Sequence, residues 1–161
     1  MKRHPALAPL SRDHQHTLAV AQRLRRATPA TAEQAAAAFL AAWDLEEKLH
    51  FRVEEEILLP AYATRVDPDD PVVLEVLPDH LTIRCHAQRV AADASVQRLH
   101  ALGERLASHV RLEEREPFPL IERGLSDAEP STLGPAWQPR CEPSWVTCRL
   151  SDRMTVQLGS R

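Results

Sequence analysis

Apolar positions along this chain fall into four stretches with the period of an α-helix. Leu7, Leu10, His14, Thr17, Ala21 and Leu24 recur every three or four residues and so share one side of a helix. Ser11 or Asp13 is expected in its first turn, and Thr28-Pro29 ends it, because the residue before a proline is pushed out of the α region. A second helix follows, with Thr31 to Gln34 reading as a capping box. Its stripe continues through Trp43, Glu47, His50, Glu54 and Ile57, and Pro60 marks a kink or the approach of its end. RVDPDDP is a turn, with Asp70 as N-cap and Pro71 in the first helical position.

The third stripe is His80, Ile83, Ala87 and Val90, with Pro78 either kinking the helix or starting it. The fourth begins near Ser95 and runs through Leu99, Leu102, Leu106, His109 and Glu113 until Pro117 and Pro119 break it. Four helices with short connections predict an all-α, up-down-up-down four-helix bundle over residues 1–125. Beyond Leu125 prolines recur without a steady period, so residues 126–161 are expected to form an irregular, flexible tail.

Composition narrows the class. A chain of 161 residues that is 43% hydrophobic supports one domain with one core. Aromatics at 4% and only 4 glycines argue against a strand-rich fold. A net charge of −3, with bases and acids interspersed, gives no footprint for nucleic acid. No run of about 18 apolar residues suits a membrane span. The opening MKRHPALAPLSRDH lacks the apolar middle of a secretory signal, so the expected location is the cytoplasm. The odd set Cys85, Cys141 and Cys148 fits a reducing compartment and makes no disulfide framework.

The histidines change the picture. Each predicted helix carries one on its inward stripe, and two of these are followed four residues later by a glutamate. The phrase HFRVEEEILLP at residues 50–60 is nearly repeated as HVRLEEREPFP at 109–119. A shorter echo pairs Asp13-His14 with Asp79-His80, each followed by Ala-Gln-Arg. One inward histidine is usually a hydrogen-bonded core residue, and a glutamate run is usually a solvated face. Burying four imidazoles and two carboxylates without partners, however, costs several kcal/mol for each group. A bound cation removes that penalty by turning all six into ligands.

Residues four apart on a helix lie about 5–6 Å apart at Cβ, close enough to hold one ion or bridge two. The candidate ligands are therefore His14, His50, Glu54, His80, His109 and Glu113. Glu47 is a plausible addition, whereas Glu55 and Glu114 stand one step off the stripe. His16 faces away from His14, as surface or support, and His4, His86 and His100 have no matching partners. Imidazole and carboxylate without thiolate suit iron, with manganese and zinc behind it. Six ligands are too many for one tetrahedral zinc and suit a pair of ions.

SRDH, HFRVEEEILLP, DHLTIR and HVRLEEREPFPLIE together resemble the hemerythrin-like (HHE cation-binding) domains of bacteria, over roughly residues 7–125. The resemblance implies a four-helix bundle around a non-haem di-iron centre, two iron ions bridged by oxygen and two carboxylates. His14, His50, His80 and His109 would then be terminal ligands, and Glu54 and Glu113 the bridges. Oxygen-carrying hemerythrins place a further histidine four residues after the third-helix ligand, where this chain has Arg84. Arg84 either hydrogen-bonds a bound anion or carboxylate, or reaches solvent. Three functions follow: binding or sensing of dioxygen, iron or a related small ligand; an enzyme acting on peroxide or another small oxidant; or a purely structural metal. The first is preferred, because no organic-substrate pocket, nucleophile-base pair or cofactor fingerprint is legible.

Overall fold

The computed structural model describes residues 4, 7–64 and 69–124, and none of these lies in a strand. Helix α1 is Ala8–Arg25. Helix α2 is a continuous rod of three α segments, Ala32–Ala42, Lys48–Val53 and Leu59–Ala63. Two wider π turns, Trp43–Glu47 and Glu54–Leu58, join them. Helix α3 is Pro71–Ala92, α4 is Val96–Arg115, and a short α5, Pro117–Gly124, folds over one end.

Cross-links between the rods fix their alternating direction. Ser11 and Arg25 on α1 reach Glu114 and Glu104 on α4, so numbers fall along one helix as they rise along the other. Thr17 to Glu47 relates α1 to α2, and Arg84 to Glu55 relates α3 to α2. Arg98 donating to the Arg89 carbonyl and Arg105 pairing with Asp79 do the same for α3 and α4. Gly103 sets the closest approach of α1 to α4, since a Cβ there would lie 2.7 Å from the Ala21 carbonyl oxygen.

Several helix ends differ from the sequence expectation. α1 starts at Ala8 with Leu7 as N-cap and Pro9 in its first turn, ahead of Ser11 and Asp13. The capping box at Thr31 does not form: its hydroxyl accepts from the Thr28 N–H at 2.9 Å, inside the preceding turn. Asp70 caps α3 as expected, accepting from Val72 N–H at 2.9 Å. Pro78 lies inside α3 without ending it, its exposed ring turned away from the buried face. The turn RVDPDDP falls partly outside the described residues, and the tail 126–161, with Cys141 and Cys148, falls wholly outside them.

Pro60 does not end α2 either, since the helix continues to Ala63. The π turn before it explains how. Leu59 N–H reaches back five residues to the Glu54 carbonyl, so the rod has already left the i→i−4 pattern that a proline interrupts. The same turn shifts the inward face by one residue. Leu58 is buried at 3% exposure, whereas Ile57, expected on the stripe, is only half-buried.

Two apolar clusters result. The larger, including Val20, Leu24, Phe39, Trp43, Phe51, Ile83, Leu102 and Leu106, fills one end and middle of the bundle. The smaller joins Leu7, Leu10, Leu58, Tyr62, Val73, Phe118 and Ile121 under α5. Between these clusters every long helix buries polar residues: His14 and Thr17, Glu47, His50 and Glu54, Asp79 and His80, His109 and Glu113.

Candidate metal centre

Helical period aims one histidine from each rod into this polar layer, and the register between rods brings them to one level. His14, His50, Glu54, His80, His109 and Glu113 are all buried, none more than 4% exposed. They fall into two overlapping groups of possible metal ligands, His14, His50, Glu54 and Glu113, then Glu54, His80, His109 and Glu113. Within each group the ligand atoms lie within 4.8 Å of one another, and both groups share the two carboxylates.

The contacts across the layer are those of ligands around a common centre. His14 Nε2 is 3.1 Å from Glu113 and 3.7 Å from Glu54, and His50 Nε2 is 3.0 Å from Glu54. His80 Nε2 lies 3.4 Å from Glu54 and 3.6 Å from Glu113, and His109 Nε2 lies 3.3 Å from Glu113. Yet all four Nε2 atoms, both Glu54 oxygens and Glu113 Oε2 are buried without a hydrogen-bond partner. Buried polar atoms are rarely left so, and seven converging on one spot fit a cation.

The opposite nitrogens explain why Nε2 faces inward. Glu114 on α4 takes His14 Nδ1 at 2.8 Å, and Glu55 on α2 takes His80 Nδ1 at 2.8 Å. Asp13 on α1 stands 3.4 Å from His50 Nδ1, and Asp79 on α3 stands 3.6 Å from His109 Nδ1. Each helix thus sets a carboxylate near the histidine of the next, within hydrogen-bond distance at His14, His50 and His80, and α4 closes the ring on α1. A carboxylate at Nδ1 favours the Nδ1–H tautomer and leaves the Nε2 lone pair for a metal. Glu55 and Glu114 therefore stand behind the histidines rather than in the ligand groups. The signal for them was present: an acid sits beside a candidate ligand in both DH pairs and both EE pairs.

Electrostatics agree with this geometry. Burial alone would lower His14, but Glu113, Glu114 and Glu54 outweigh it and raise its pKa to about 11. Burial is likewise outweighed at His50, raised to about 10 by Glu54 and Asp13, and at His80, raised to about 9 by Glu113 and Glu54. His109 is lowered, with burial the leading cause. Burial would raise Glu54, but the surrounding histidines hold it well below the carboxylate range. Glu113 is also held low by His109, His14 and His80, against burial and the repulsion of Glu54. Two buried carboxylates thus demand positive charge, which protons or a metal supply.

The remaining candidates lie elsewhere. Glu47 is buried outside both ligand groups, accepting from the Thr17 hydroxyl at 2.7 Å, and burial raises its pKa. His16 is exposed, and His100 donates to the Ala27 carbonyl near the far end of α1. His4 is tied through its backbone to Glu122, and Cys85 is exposed. Arg84 reaches neither solvent alone nor the layer, but grips Glu55.

A four-helix bundle with a buried layer of histidines and carboxylates defines a metal-binding helical protein. The family model for the hemerythrin HHE cation binding domain matches residues 6–121, well over half the chain, and the chain belongs to that family. No curated protein and no solved structure matches it. Among the described residues no helix is long and apolar enough to cross a membrane.

Proposed function

We propose that the layer holds two iron ions, with Glu54 and Glu113 shared between them and His14, His50, His80 and His109 as terminal ligands. The carrying observation is that both ligand groups contain the same two carboxylates. Two histidines and two shared carboxylates per ion leave positions for a small exogenous ligand, and iron suits this donor set of nitrogen and oxygen without sulfur. Zinc would need only one of the two groups to complete a tetrahedron. Arg84, turned to Glu55, adds no further ligand to the His80 half.

The protein binds or senses dioxygen or a related small molecule. The layer lies between apolar clusters, with Phe118 stacked on His14 at 4.9 Å and Phe51 on His80 at 4.0 Å. Aromatic rings packed against two of the histidines favour a diatomic or peroxide over an organic substrate. One observation favours an enzyme acting on peroxide: Glu47 is a buried acid with Oε2 unpartnered, three residues before His50 and bonded to Thr17, three residues after His14. Reduction of an oxidant consumes protons, and a carboxyl whose pKa is raised by burial is suited to deliver them.

The test is iron content after purification without added metal, followed by exposure of the anaerobic ferrous protein to dioxygen and then to peroxide. A visible absorption that fades under vacuum supports binding, and sustained consumption of peroxide supports the enzyme. Protein that takes up no iron sinks both.

A further inference from the structure

The geometry points to Arg84 as a positioning residue for His80, acting through Glu55 and Phe51, and so as a residue that tunes the metal position His80 serves. This rests on the reading that the layer holds two ions.

His80 is held on two sides, and both holds end on the same guanidinium. On its edge, His80 Nδ1 donates to Glu55 Oε1 at 2.8 Å. Arg84 Nη2 donates to both oxygens of that carboxylate, at 2.8 and 2.9 Å. On its face, His80 stacks on Phe51 with centroids 4.0 Å apart and planes 11° from parallel. The Arg84 guanidinium lies 5.4 Å from the centroid of the same ring. Arg84 and His80 are one turn apart on α3, while Glu55 and Phe51 are one turn apart on α2. Four residues on two helices therefore close a loop around one imidazole.

The consequence is electronic as well as steric. A carboxylate hydrogen-bonded at Nδ1 makes an imidazole more basic toward a metal. An arginine sharing that carboxylate withdraws part of its charge, so Arg84 moderates what Glu55 donates while fixing where Glu55 stands. Behind His14, Glu114 takes the Ser11 hydroxyl at 2.7 Å, and the ring stacks on Phe118 from α5. The carboxylate behind His80 thus belongs to an ion pair between two bundle helices.

The experiment is anaerobic titration of ferrous iron into the full chain and the variants Glu55→Gln, Arg84→Gln and Arg84→Lys, reading each binding step and the reduction potential of the loaded protein. Glu55→Gln is expected to weaken one of two steps by about 10–100-fold and leave the other near wild type. Arg84→Gln should weaken the same step and shift the potential in the negative direction, because Glu55 then keeps its full charge. Arg84→Lys, which preserves the charge, should recover much of the potential. Circular dichroism of the metal-free variants separates these effects from unfolding, and Glu55→Gln still tests the idea if Arg84→Gln fails to fold. Wild-type protein taking up two irons beside a Glu55→Gln variant with unchanged steps and potential overturns the inference. Wild-type protein taking up fewer than two overturns the reading beneath it.

Discussion

The bundle contains two interiors built on opposite principles. Around Leu24, Phe39, Leu102 and Leu106 the helices meet through apolar side chains, each contributing roughly 1.5–3 kcal/mol by leaving water. One layer away, between that cluster and the smaller one under α5, the same helices meet through imidazoles and carboxylates with unpartnered inward atoms. The first interior folds the chain. The second is unfavourable to bury by itself and gains from a cation, so stability and function occupy adjacent slabs of the same rods.

That contrast is most sharply tested at Glu54, which belongs to both ligand groups. Glu54→Ala is expected to lower iron from two per chain to one or none, as read by elemental analysis, while circular dichroism stays helical. A variant that keeps two irons refutes the shared role. Leu102→Ala makes the opposite cut. It should reduce the denaturation free energy of the metal-free chain by roughly 2–5 kcal/mol while leaving iron per folded chain unchanged. Loss of metal there would mean that the two interiors are not separable.

A subtler separation comes from pH. His14, His50 and His80 have raised values in the metal-free fold, about 11, 10 and 9 against an ordinary 6.5. Groups raised on folding stabilise the fold fully below their unfolded value and lose that contribution as pH rises through the folded one. The metal-free melting temperature should therefore fall as pH climbs from 7 toward 10. The metal must displace these protons, so the rise in melting temperature on adding iron should grow over the same interval. A metal-free melting temperature that climbs instead contradicts the assignment. Smallest of all is His16→Ala on the exposed side of α1, expected to change stability by less than about 0.5 kcal/mol and metal content not at all.

Much was legible before any coordinates. Period alone placed His14, His50, His80 and His109 on inward stripes, and spacing tied Glu54 and Glu113 to two of them. A helix sets the direction of a side chain around its own axis, so four helical stripes were enough to nominate the layer. The same rule misplaced Ile57, because a π turn inserts a residue that the regular period does not count. It also left Glu47 beside the ligands, where the structure gives it to Thr17.

What belongs to the sequence by itself is therefore the set of rods, their apolar faces and the six inward donors, all properties of one helix at a time. The tertiary structure decided which acid stands behind which histidine, that Arg84 grips Glu55 across two helices, and that both carboxylates fall into both ligand groups. Those outcomes depend on the relative height of neighbouring helices. Height is set by how whole surfaces interlock, at Gly103 against Ala21 and under α5 at Phe118, and no single-helix period contains it.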